Sequence, residues 1–153
     1  KTSKKFIVGE DSGLFVLSKY PIQYLSEVSL KGLTIPDSLA NKTVMYFKIG
    51  NLNFATTHLQ SEYQNISRVQ LYEILKKSPI EKFILAGDLN NESVNEIVGI
   101  KQNNFQPTWE NKIIDYILPI GYDVEIKTDV INIDLNNTSD HFPIIANLNE
   151  LYP

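Results

Sequence analysis

The stretch KFILAGDLN, residues 82–90, sets four apolar residues in a row and then an aspartate and an asparagine two positions apart. A continuous apolar run of this length, closed by glycine and aspartate, predicts a strand covered on both faces. The aspartate at its end is the anomaly, because burying a carboxylate is unfavourable unless a cation or a hydrogen-bond donor compensates it. Taken alone, Gly-Asp-x-Asn is usually a tight turn after a strand.

The sequence on either side is rich in strands. GLFVLSKYPI (13–22) predicts a strand stopped by Pro21, and TVMYFKIGNLNFATTHL (43–59) predicts a hairpin turning at Gly50 and Asn51. SEYQ (61–64) has the form of a capping box and opens a stretch to Lys77 free of glycine and proline, hence a helix. Leu71, Ile74 and Leu75 share its apolar face, whereas Val69 and Tyr72 fall off it. A short helix is expected within 91–100, and strands in IIDYILPI (113–120), YDVEIKTDVI (122–131) and FPIIANL (142–148). Strands interspersed with one or two helices, without regular alternation, predict an α/β (α+β) layered fold with sheet against sheet.

With 153 residues, 42% of them hydrophobic and 21% charged, the chain has the content of one domain with one core. Its net charge of -4 contains no block of like charges, so the surface as a whole is not built to grip nucleic acid or anionic membrane non-specifically. The absence of cysteine excludes disulfides, thiolate zinc sites and a cysteine nucleophile, leaving oxygen and imidazole as metal ligands. No apolar run approaches the ~20 residues of a membrane helix.

Besides GDLN, three further clusters place polar residues at the ends of apolar runs or inside them: TTHL (56–59), IDYI (114–117) and SDH (139–141). They contain both histidines of the chain. Brought together, Asp88, Asn90, Asp115 and Asp140 offer the hard oxygen ligands that Mg²⁺ or Mn²⁺ prefers, and His58 and His141 offer imidazoles to position a phosphate or move a proton. Each cluster also has a plain reading as a turn, a packed histidine or a capped loop. Asp115, flanked by Ile113, Ile114, Tyr116 and Ile117, must face solvent or a specific partner.

The order of these clusters resembles the endonuclease/exonuclease/phosphatase superfamily, with its deoxyribonuclease I-like fold. The similarity runs from Gly13 to Leu148. GLFVLSKYPI is similar to the strand before the family's variable loop, FATTHLQ to its histidine strand, FILAGDLN to its Gly-Asp-x-Asn strand, IIDYIL to its Ile-Asp-Tyr strand, and TSDHFPI to its Ser-Asp-His-x-Pro terminus. LANKTVMYFKI, THLQSEY and PTWE resemble sphingomyelinase C-type members most. The resemblance implies a β-sandwich flanked by helices and a metal-dependent phosphodiesterase using Mg²⁺ or Mn²⁺. It implies that Asp88, Asn90 and Asp140 serve the metal, with Asn90 holding the scissile phosphate or a water. His141 is then the general base oriented by Asp115, and His58 steadies the phosphorane.

The family pattern also calls for an asparagine and a metal-binding glutamate on two strands ahead of residue 13. Lys1 to Ser12 is too short and polar for both, and Glu10 is the single glutamate there. The expectation is therefore one partial domain over 1–153, N-terminally incomplete, with 1–12 linker-like and the first sheet left with an edge that invites its missing part. The hydrophobic hairpin of secreted bacterial sphingomyelinases has no room between Trp109 and Asp115. The implied substrate is a phosphodiester, a lipid headgroup in preference to nucleic acid. The alternatives are a nuclease of the same fold and a non-catalytic fragment.

Overall fold

A computed structural model describes residues 13–31, 42–61, 63–100, 106–133 and 138–151. Glu10, and with it the question of an N-terminal metal ligand, lies outside the described residues.

Five strands form the main sheet: β1 (Ile22–Ser29), β2 (Thr43–Ile49), β3 (Leu52–His58), β4 (Phe83–Asp88) and β5 (Asp115–Ile120). They lie side by side in chain order. All neighbours run antiparallel except β3 and β4, which are parallel. A parallel pair needs a crossover, and α1 (Gln64–Lys77) supplies it. The short α2 (Val94–Val98) connects β4 to β5, and β6 (Thr128–Val130) pairs antiparallel with β7 (Ile144–Ala146) as a separate two-stranded sheet.

The main sheet is buried on both faces. On one side Tyr46, Ala55, Phe83, Leu85, Tyr116 and Leu118 pack with Leu71 and Ile74 of α1. On the other, Leu52 and Ile84 form a second cluster with Ile126, backed by Phe54, Ile117, Ala146 and Leu148. Successive residues of β4 thus face opposite cores, which is why FILA carries no alternation. The β2–β3 hairpin pairs Ile49 with Leu52 and turns through Gly50 at φ 57°, the left-handed region that favours glycine.

Three local expectations are corrected. GLFVLSKYPI is not a strand: β1 begins only at Ile22, with Phe15 65% and Leu17 82% exposed. Its residues have β propensity, but a strand exists only where a neighbour completes its ladder, and residues 13–21 pair with none of the described strands. The capping box at Ser61 does not form, since the N-cap is Tyr63, with no side-chain cap hydrogen bond. The amides of Ile66 and Ser67 donate to the Tyr63 carbonyl instead. The strand expected over 122–131 is confined to Thr128–Val130, the part that β7 pairs.

Candidate active site

Strand register brings three of the expected residues into one row. His58 closes β3 opposite Asp88, which closes β4 and stands opposite Asp115, the first residue of the antiparallel β5. Three side chains from three strands therefore emerge at the same end of the sheet. Gly87 makes the approach possible. It pairs with Thr57 at φ 147°, where an added Cβ would sit 2.0 Å from the Thr57 carbonyl oxygen. The glycine of GDLN is thus required within the sheet, in addition to any turn that follows.

His141 joins from the other side. Its backbone bridges to Trp109, and the amide of Phe142 donates to the Thr108 carbonyl. The Thr108 hydroxyl accepts in turn from the amides of Ile114 and Asp115, so one short segment fixes both partners. The result is a 2.8 Å contact between His141 Nδ1 and Asp115 Oδ2. On the opposite flank His58 Nε2 lies 3.5 Å from Asp88 Oδ2.

Asn90 has φ 46°, which an asparagine tolerates better than most residues. Its amide donates to Asp88 Oδ1, and its Nδ2 donates to the Leu59 carbonyl. The Leu59 carbonyl also accepts from Lys42, a buried lysine. Behind the loop, the Ser67 hydroxyl of α1 donates to the Asn90 carbonyl, and Asn91 Nδ2 reaches Gln64 O and Ser67 Oγ. Gln70 accepts from the Gln60 amide and donates to Lys31 O. The buried stripe of α1 therefore includes Ser67 and Gln70, which explains why its amphipathic pattern is imperfect.

Electrostatics single out the central carboxylate. Burial, and then the negative charge of Asp115, push the Asp88 carboxyl up to about 6, against the lowering effects of the Asn90 amide, His141 and Lys42. Partial burial pulls His141 down, but the hydrogen bond to Asp115 and the charges of Asp115, Asp88 and Asp140 together raise it above the ordinary value. Ligand atoms of Asp88, Asp115 and His141 lie within 4.8 Å of one another. Burial and the nearby Asp115 carboxylate leave Asp88 with a negative charge that a hard divalent cation would relieve, so Asp88 fits such an ion.

Asp140 is placed differently from the other carboxylates. It is exposed, and its Oδ2 accepts from the indole Nε1 of Trp109 at 3.2 Å. It nonetheless lines the same cavity of about 570 Å³ as His58, Asp88, Asn90 and His141, together with Ser61, Gln64, Trp109, Lys112 and Ile114. All six expected site residues thus converge on one sheet end. Sequence reading missed the supports: Lys42, Ser67, Gln70, Asn91 and Thr108 carry no signal beyond being polar residues that the fold buries.

No protein-family model matches this sequence, and no curated protein matches it. Solved structures do. Beta toxin from Staphylococcus aureus matches over 95% of this chain and 71% of its own, with a TM-score of 0.72 at 22% identity. A variant of that toxin has been solved with bound magnesium ions. SmcL matches over 89% of this chain and 69% of its own, with a TM-score of 0.70 at 20% identity. Sphingomyelinase C from Streptomyces griseocarneus matches over 84% of this chain and 65% of its own, with a TM-score of 0.58 at 17% identity. The chain has the deoxyribonuclease I-like fold, as its motifs led one to expect.

Proposed function

We propose that this chain carries the catalytic site of a divalent-metal-dependent phosphodiesterase, with a phosphodiester lipid headgroup as its substrate. The observation that carries this is the in-register row His58–Asp88–Asp115 with His141 hydrogen-bonded to Asp115, all at one end of the sheet. The fold is shared with a sphingomyelinase C, and a structure on this fold holds magnesium.

Asp88, Asn90 and Asp140 would hold the ion, Mg²⁺ or Mn²⁺, with Asp115 and His141 close by. When bound, it supplies neutralisation of phosphoryl charge and acidification of water. The residues of the chain do the rest. With Nδ1 donating to Asp115, the imidazole of His141 has a fixed tautomer, and Nε2 is the nitrogen that takes a proton. Water attacks phosphorus, giving its proton to His141 as the new P–O bond forms. The P–O bond to the lipid alcohol breaks, its oxygen takes a proton from solvent, and His141 returns the proton it accepted to solvent. His58, on the opposite flank of Asp88, faces the charge that accumulates on the phosphorane. The Asn90 side chain, held by Leu59, fixes the orientation of the phosphate.

The lipid preference rests on the likeness to a sphingomyelinase and on the net charge of -4, unsuited to a long polyanion. The tight turn from Trp109 to Lys112, closed by amide–carbonyl bonds in both directions, leaves no room there for a membrane-contacting hairpin. The test is hydrolysis with Mg²⁺ of sphingomyelin, glycerophospholipids and DNA by the wild type, His141→Ala and Asp88→Ala. Lipid turnover lost in both variants is the expected result. Full activity in either variant overturns the mechanism, and turnover of DNA alone overturns the substrate. A wild type inactive on all of them favours a non-catalytic fragment.

A further inference from the structure

The cavity holds a feature that the proposed chemistry does not use. Lys112 Nζ sits over the ring of Trp109, 5.0 Å from its centroid, and both residues line the cavity. Neither is placed by chance. Trp109 and Lys112 bridge each other across a two-residue turn in which Glu110 adopts φ 48°. The Trp109 ring also stacks near His141, with centroids 6.1 Å apart, and its Nε1 is held by Asp140. The aromatic wall is therefore fixed beside the reacting groups, and Lys112 is the ammonium that lines the cavity among the described residues.

An indole face is a natural seat for a quaternary ammonium. Here that face is already engaged by Lys112, so a choline-type headgroup would have to displace one cation with another. A nucleobase seeking to stack on the indole meets the same obstacle. A negatively charged group instead meets an ammonium that already stands over the ring at the cavity wall. We propose that Lys112 and Trp109 form a specificity subsite for a second negative charge on the substrate headgroup, such as a phosphorylated polyol. This rests on the phosphodiesterase reading for the adjacent scissile group, and it predicts discrimination against choline.

The sole tryptophan of the chain is Trp109, so its fluorescence reports occupancy of this subsite directly, without turnover. Glycerol bisphosphate, phosphocholine and thymidine bisphosphate would be titrated against the wild type, Lys112→Met and Lys112→Arg. In the wild type, glycerol bisphosphate should bind tightest. Lys112→Met should weaken it roughly tenfold while tightening phosphocholine a few-fold, and Lys112→Arg should retain the wild-type order. These opposite shifts separate a selective subsite from general damage. The subsite is overturned if Lys112→Met weakens all ligands alike or none, or if no ligand perturbs Trp109. Tighter binding of thymidine bisphosphate overturns the headgroup assignment. An inactive wild type that still shows the opposite shifts would count against the hydrolytic reading and leave the subsite standing.

Discussion

Asp88 and Asp115 stand opposite one another across β4 and β5, in register at one end of the sheet, and burial together with this neighbour lifts Asp88 to about 6. A carboxyl whose folded value exceeds its ordinary value of 3.8 binds more protons when folded. Stability is therefore lost as pH rises between the two values, and the strain is present in full at neutral pH. Asp88→Asn keeps an Oδ1 acceptor for the Asn90 amide and removes the charge. In metal-free buffer it should stabilise the protein at neutral pH by on the order of 1–3 kcal/mol and leave it little changed below about pH 4. Thermal melts across this range check it, and an Asn variant that melts at or below the wild-type temperature at neutral pH contradicts it. Mg²⁺ should raise the wild-type melting temperature and leave the variant's unmoved.

Asp115→Asn addresses the partner role. The carboxylate raises His141 through a hydrogen bond and through charge, so its loss lowers the imidazole's affinity for a proton. A base must be neutral to act, and the acid limb of the pH–rate profile should therefore move to lower pH even as the maximal rate falls by roughly 100- to 10,000-fold. A limb that moves upward, or a rate that stays within a few-fold of wild type, would rule out the orienting role.

Gly87→Ala tests the close approach of β3 and β4. The added methyl would meet the Thr57 carbonyl at 2.0 Å, at a φ of 147° that side-chain-bearing residues rarely adopt. No flexible side chain can yield, because the obstacle is backbone in a parallel pairing. A loss of several kcal/mol is expected, enough to lower the melting temperature by ten degrees or more in a domain of this size. A variant that melts within two or three degrees of wild type would mean the strands part more easily than their register implies.

The degree to which the sequence disclosed this arrangement follows from locality. FILAG announces itself because a strand buried on both faces must be apolar throughout. His58, Asp88 and Asp115 stand out because charge or imidazole at the end of such a strand needs a reason. The GN turn reads directly from Gly50. What stayed hidden depends on partners far away in the chain. Residues 13–21 have the composition of a strand, but composition does not supply a neighbour. Ser67 and Gln70 weaken the apolar stripe of α1 because they hold Asn90, Gln60 and Lys31, none of which lies on that helix. Ser61 and Gln64 have the spacing of a capping box, yet the helix starts at Gln64, where the Tyr63 carbonyl takes the first amides. Lys42 is a surface residue by type, yet it is buried, with its ammonium donating to the Leu59 carbonyl far along the chain.

A buried hydrogen-bond network stands behind the site. Asn91 is buried, with Nδ2 donating to the Gln64 carbonyl and the Ser67 hydroxyl, while its Oδ1 accepts from the Ser93 amide. Its own carbonyl accepts from the Tyr116 hydroxyl, which ties the loop to β5. Asn91→Ala removes the side-chain bonds and leaves buried partners unsatisfied, which should destabilise the fold by about 1–3 kcal/mol. Because Ser67 also holds the Asn90 carbonyl, the loop carrying Asn90 should loosen as well. The variant should therefore show weaker substrate affinity and a reduced rate even at temperatures where it is fully folded, with Asn91→Asp recovering less of either than of secondary structure. Kinetics at several temperatures beside circular dichroism distinguish the cases. If all lost activity returns on cooling in step with the folded fraction, Asn91 supports the fold alone and not the placement of Asn90.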